Sequence, residues 1–226
     1  AKDPKYIDMH VASLRKKGFL LTMEPDEDMF AFLGIDVKKT NGKVELTQHG
    51  LTEKFLKYTG LDESAAIDTP AAANPLGTDK DGDPYAEDWN YASAVGMLLY
   101  ISSNTRPDIQ FAVHQVCRFS HCPRRSHGQA VKRIIRYLIE TRTKGIEFVP
   151  DLKEGLNAYV DADFAGMYGY EDDQDPVSVR SRTGYTLTLF GCPIIWASKL
   201  QTEICLSSTA AEYVAFSMAM REILPM

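Results

Sequence analysis

The sequence is short of cysteine, of long apolar runs and of net positive charge. Four thiols, Cys117, Cys122, Cys192 and Cys205, with no CxxC pair, give no disulfide framework and fit free thiols in a reducing, intracellular setting. No stretch approaches the roughly 20 apolar residues of a membrane span, so no membrane partner is expected. The first residues have no signal-like pattern. The chain opens on Ala1 rather than Met, which reads as a piece of something longer. It has no internal repeats. With 25 Lys and Arg against 31 Asp and Glu, the net charge is −6, which taken alone argues weakly against nucleic acid.

What is present is ordinary globular material. The 226 residues are 44% hydrophobic and 25% charged, enough for one large domain or two small ones with real cores. The average charge hides an uneven distribution. Between His114 and Gly145 stand eight basic residues (Arg118, Arg124, Arg125, Lys132, Arg133, Arg136, Arg142, Lys144) and one acid, Glu140, a local charge of +7 that leaves −13 for the rest. A basic segment on an acidic chain is what matters for backbone contact.

The spacing of apolar residues predicts a helix over 4–17, with Ile7, Val11 and Leu14 on one stripe. Phe30 to Val37 reads as one buried strand, Thr40-Asn41-Gly42 as a hairpin turn and Lys43 to Gln48 as the returning strand. A helix from Leu51 to Tyr58 ends near Gly60. Residues 62–85 are rich in Asp, Pro, Ala and Gly without a period, a linker or surface loop. The DKDGD inside it has too little of the EF-hand pattern for a calcium loop. Three helices follow, Trp89 to Ser103, Pro107 to Phe119 and Ser126 to Glu140, with Pro107 and Pro123 near helix starts. After Gly145 the texture becomes β. Strands are expected over Leu156–Asp161, Thr183–Phe190 and Pro193–Ser198, the last two joined at Gly191-Cys192, and an acidic loop spans Met167 to Arg180. A helix runs from Thr209 onward. The order strand, hairpin, helix matches the opening of an α/β sheet with an antiparallel edge.

Two short motifs carry the candidate chemistry. In LNAYVDADF, alternation puts Asn157, Tyr159, Asp161 and Asp163 on one face and Leu156, Ala158 and Val160 on the other. Two acids at a strand end repel unless a cation or solvent separates them. A plain solvated strand end is the competing reading. In SSTAAEY, Thr209 and Glu212 fit a capping box. The helix they open is apolar nearly all round (Val214, Phe216, Met218, Ile223), which predicts burial and a partner or metal for Glu212. The set His114, Cys117, His121, Cys122 and His127 matches no standard zinc spacing. Lys132, Arg133 and Arg136 share one helix face opposite Val131, Ile134, Ile135 and Leu138. A solvated face and a phosphate-contacting face look alike at this level.

Taken in order, FLGIDV, LTQHGLTEKFLKYTGL, YASAVGMLLYISSNTRPDIQFAV, SHGQAVKRIIRYL, YVDADFAG, SRTGYTLTLFGCPIIWASKLQ and LSSTAAEYVAF resemble the C-terminal part of the Pol polyprotein of copia-type retrotransposons. The resemblance covers almost the whole chain: the end of a reverse transcriptase and the start of its RNase H. It implies an α/β (α+β) fold. A reverse transcriptase palm or thumb remnant would occupy 1–61, a linker 62–88 and a helical thumb or connection segment 89–150. The N-terminal half of an RNase H-like domain, a truncated mixed sheet with a helix, would occupy 151–226. The resemblance makes Asp161 and Glu212 the first two catalytic carboxylates, with Asp163 a further metal ligand of less certain role. It also implies Mg²⁺, or Mn²⁺, in a two-metal hydrolysis of RNA in an RNA–DNA hybrid. Arg124, Arg125, Lys132, Arg133, Arg136 and Lys199 become candidate contacts to hybrid or template–primer. The other implied partners are the remaining Pol segments: integrase, protease and the rest of the reverse transcriptase. The implied location is intracellular, in a cytoplasmic virus-like particle or the nucleus. Ala210 stands where the family often has an acid, and the acidic loop is longer than the family's usual connection. The family's YxDD aspartates and later RNase H carboxylates are not in the sequence, so no appreciable activity is expected of this chain by itself. The alternatives are a non-catalytic nucleic-acid-binding remnant and a pseudogene fragment.

Overall fold

A computed structural model describes residues 4–20, 31–171 and 174–226. It divides the chain into two units, 1–30 and 31–226. In the first, helix α1 (Pro4–Lys16) ends as its sequence predicts. Gly18 takes a left-handed φ of 85°, and Phe19 N–H returns to the Leu14 carbonyl at 3.2 Å, closing the helix in a Schellman motif.

The second unit opens with a sheet built on tight turns. The strand expected over Phe30–Val37 is instead a hairpin: β1 (Ala31–Phe32) pairs with β2 (Ile35–Thr40) in the register Phe32↔Ile35. Phe30 itself lies outside the described residues. Leu33 and Gly34 between them both have positive φ, 51° and 77°, the two-residue turn that matches strand twist. The segment is also exposed rather than buried, with Leu33 71% accessible. The Leu33 carbonyl accepts the Tyr100 hydroxyl at 2.6 Å. The expected turn at Asn41-Gly42 is present, and β3 (Lys43–Thr47) pairs with β2. Beyond it, β4 (Ile146–Phe148) adds to β3 from 100 residues away in the register Leu46↔Ile146. This strand was not read from the sequence, because three residues carry no period. Gly145 is required at the junction: a Cβ there would overlap the Leu46 carbonyl oxygen.

Helices α2 (His49–Thr59), α3 (Tyr91–Asn104), α4 (Gln110–Cys117) and α5 (Arg125–Glu140) share one core. Phe55, Leu56, Leu98, Ile101, Ile109, Val113, Ile135 and Leu138 are fully buried in it. The helix expected over Pro107–Phe119 starts instead as a 3₁₀ turn at Pro107–Ile109. Arg106, 2% exposed, sets the geometry there. Its guanidinium donates to both Asp108 carboxylate oxygens, at 2.9 and 2.7 Å, and to the Thr141 carbonyl at 2.8 Å. Burial by itself would raise the Asp108 pKa. The hydrogen bond and charge of Arg106, aided by the Tyr137 hydroxyl, hold it below the usual carboxylate range.

The second sheet has the order β5 (Leu156–Asp163), β6 (Arg182–Leu189), β7 (Cys192–Leu200), all antiparallel. Its hairpin turns on Phe190 and Gly191, φ 52° and 77°, one residue earlier than expected. Helix α6 (Ser208–Ile223) crosses β5 and β6. It presents a stripe of Ala211, Ala215 and Ala219 to a core that includes Tyr185, Leu187 and Ala197. Small residues let helix and sheet approach closely. The fold is mixed α+β, and no helix among the described residues is long and apolar enough to cross a membrane.

Candidate functional site

Strand β5 fixes the first two acids by alternation. Asp161 stands opposite Gly184 and Asp163 opposite Arg182, and both acids are exposed. Asp161 opens onto a groove of about 350 Å³ on the sheet face away from α6. The Asp163 carboxylate instead folds back over Gly166, where a Cβ would overlap its Oδ2. A side chain at position 166 would make the Asp163 carboxylate swing aside. Asp163 also lines a small hollow of about 30 Å³ with Arg180 and Arg182.

The expected setting of Glu212 is overturned. Ser207 is the N-cap of α6, its hydroxyl accepting the Ala210 N–H at 3.1 Å. This makes Ala210 the third helical residue and leaves Thr209 and Glu212 outside a capping box. The helix is buried only along its alanine stripe, because a helix lying on one side of a sheet has one covered face. Tyr213 and Phe216 are 72% and 55% exposed, and Glu212 is exposed too. It lines a hollow of about 590 Å³ with Val160, Ser208, Thr209, Tyr213 and Phe216. Asp161 and Glu212 thus face different hollows, both bordered by Val160. Among the described residues no three His, Cys, Asp or Glu side chains group as a metal site. The donor set still suits a hard divalent cation, since both acids offer carboxylate oxygens without an ion-pair partner among the described residues.

The basic helix holds its own loop. Lys132 pairs with Glu87 at 2.7 Å and Arg125 with Asp83 at 3.1 Å. Arg133 donates to Thr69 Oγ1 at 2.6 Å and Arg136 to the Ala65 carbonyl at 2.5 Å. His127, fully buried and stacked on Phe119, accepts the Arg124 N–H at Nδ1 and meets the Gly77 carbonyl at Nε2. These contacts pin residues 62–88 along α5, and Leu76 and Tyr85 pack on the helical core. Lys199 is exposed on β7. The Cys/His set is dispersed, its cysteines free. In the acidic loop, Glu171 is drawn inward, pairing with Arg118 at 3.4 Å and accepting the Thr78 hydroxyl at 2.7 Å. Residues 172 and 173 of that loop lie outside the described residues.

The seam joining α3 and α4 to the second sheet is the part sequence reasoning missed. Trp196 Nε1 donates to the Ser102 carbonyl at 2.8 Å. Arg182, 8% exposed, lies 5.1 Å from the Phe111 ring centroid, with Nη1 3.3 Å from His114 Nδ1. Burial first, then the Arg118 charge, pushes the Arg182 pKa down to about 10, against the opposing pull of Asp163. His114 is pushed down to about 4 by burial and by Arg182, Lys199 and Arg118. An arginine inside a strand was the available signal.

An α+β chain with acids on a strand and on the following helix is the class this geometry defines. Over 192 residues, 85% of the chain, it is 35% identical to the retrovirus-related Pol polyprotein from transposon RE2 of Arabidopsis thaliana. Over 195 residues it is 35% identical to the corresponding polyprotein from transposon TNT 1-94 of Nicotiana tabacum. The chain spans 13% and 14% of those two proteins. It is also 42% identical over 132 residues to the secreted RxLR effector protein 161 of Plasmopara viticola, a match over 58% of this chain and 87% of that protein. No family model and no solved structure matches. The chain belongs to the retrovirus-related Pol polyproteins of copia-type retrotransposons.

Proposed function

We propose that this stretch of Pol serves reverse transcription and hybrid degradation in the intact polyprotein. In this reading, residues 1–61 and 89–150 are the end of the reverse transcriptase, joined through 62–88. Residues 151–226 begin its RNase H, with RNA–DNA hybrid and template–primer as ligands. The observation that carries it is the placement of two ion-pair-free carboxylates around Val160, Asp161 from β5 and Glu212 from the first turns of α6. Bound Mg²⁺ or Mn²⁺ would supply an activated water and charge stabilisation at the scissile phosphate. By the resemblance Asp161 and Glu212, which line separate hollows in this structure, would hold it, with Asp163 as a further ligand. The chain by itself is expected to give no appreciable hybrid cleavage.

Mn²⁺ titration followed by NMR tests this. Paramagnetic broadening should centre on residues 160–162 and 209–213, and Asp161→Asn should weaken it at both places. Broadening scattered over the acidic surface, or unchanged by Asp161→Asn, would sink the reading. Appreciable Mg²⁺-dependent cleavage by this chain, abolished by Asp161→Asn, would overturn the expectation of inactivity.

A further inference from the structure

The groove beside Asp161 has a chemistry that the metal reading does not use. Cross-strand register places Asp161, Gly184 and Ser198 in one row and Tyr159, Thr186 and Trp196 in the next. Pro107 of the 3₁₀ turn and Gln110 and Phe111 of α4 also line the groove. Tyr159 is 64% exposed and Phe111 42% exposed. Gly184 leaves the floor open, since a Cβ built there meets no atom within 4 Å. At about 350 Å³ the space is at the lower end for a small-molecule site. Its lining offers flat rings for stacking, with the Asp161 carboxylate and the Thr186 and Ser198 hydroxyls among the groups that accept hydrogen bonds. No Lys or Arg lines it, so it is built for a planar ring bearing N–H donors and not for a phosphate.

We infer that this groove holds one unpaired nucleobase, seated over Gly184 between Tyr159 and Phe111. The choice of a nucleobase among planar donors rests on the nucleic-acid reading above. Stacking on an aromatic side chain tolerates any base, and acceptors in the lining favour those with an exocyclic amino group.

The test uses the full chain and a fluorescein-labelled deoxyadenosine decamer, with anisotropy read in EDTA so that no metal takes part. Tyr159→Ala removes the stacking ring from an exposed position, and Gly184→Val fills the floor where space is free. Circular dichroism confirms that both variants keep the wild-type fold. Each is expected to weaken binding about tenfold to a hundredfold, the range for loss of one stacked base. An abasic decamer should bind the wild type as weakly as the intact decamer binds the variants. Equal binding of the abasic strand, or affinities unchanged in both variants, overturns the proposal. So does a strand whose binding depends only on salt and on Arg133. Absence of Mn²⁺ broadening around Asp161 in the wild type, with decamer binding in EDTA still dependent on Tyr159, would refute the metal site and leave the base site standing.

Discussion

Lowering the pH from 8 to 4 should expose the cost of burying His114 at the seam between α4 and the second sheet. Its ring loses solvent on folding and faces the positive charges of Arg182, Lys199 and Arg118. Its folded pKa is therefore about 4, against an ordinary value of 6.5. A depressed histidine pKa means the unfolded chain takes up the proton first. The neutral-state stability is fully present above pH 6.5 and is lost as pH falls towards 4. That depression corresponds to at most about 3 kcal/mol across that window, reduced by solvent screening of the partly exposed ring. Urea unfolding of the wild type and of His114→Gln, at half-unit pH steps, isolates the effect. Glutamine keeps an acceptor near Arg182 Nη1 but does not titrate, and carboxylates and His127 contribute alike to both curves. The wild type should lose up to about 3 kcal/mol more than the variant between pH 6.5 and 4. Parallel curves would show that the ring is solvated or has a normal pKa, refuting the burial argument.

Arg106→Met should destabilise the helical core by about 1 to 3 kcal/mol, because it leaves the Thr141 carbonyl without its donor, while the exposed Asp108 keeps the Tyr137 hydroxyl. A urea-midpoint shift worth less than about 1 kcal/mol would contradict that. Ala215→Leu, at a fully buried position under α6, should cost about 1 to 3 kcal/mol by forcing helix and sheet apart. An unchanged or raised midpoint would mean the contact is loose. Gly34→Ala, with φ at 77°, should cost about 1 to 2 kcal/mol in thermal unfolding, and amide exchange should quicken at residues 31–36. Unchanged exchange would argue against the positive-φ turn.

Much of the fold was legible because local rules were sufficient. Apolar residues at helical spacing marked α5, with Val131, Ile134, Ile135 and Leu138 inward. Gly60 marked the end of α2, its N–H capping the Leu56 and Lys57 carbonyls. Alternation by itself sorted Tyr159, Asp161 and Asp163 onto one side of β5. Local rules failed where partners lie far apart in the chain. FAFLGIDV has the composition of a buried strand, but Leu33-Gly34 folds it on itself. The apolar helix α6 reads as wholly buried, yet a helix laid on one sheet face fully buries only Ala211, Ala215 and Ala219.

The sequence by itself determined which residues form strands and helices in the second sheet, and that two acids lie on β5 and one near the start of α6. Those are consequences of periodicities of 2 and 3.6, which need no distant information. Tertiary structure alone decided what the side chains meet. It turned the Asp163 carboxylate onto Gly166, set Asp161 and Glu212 at separate hollows, and gave Lys132, Arg133 and Arg136 to the 62–88 loop. It also set Arg182 and His114 together at a buried seam. A side chain's charge is written in its residue type, but its partner and its access to water are fixed only when remote segments close around it.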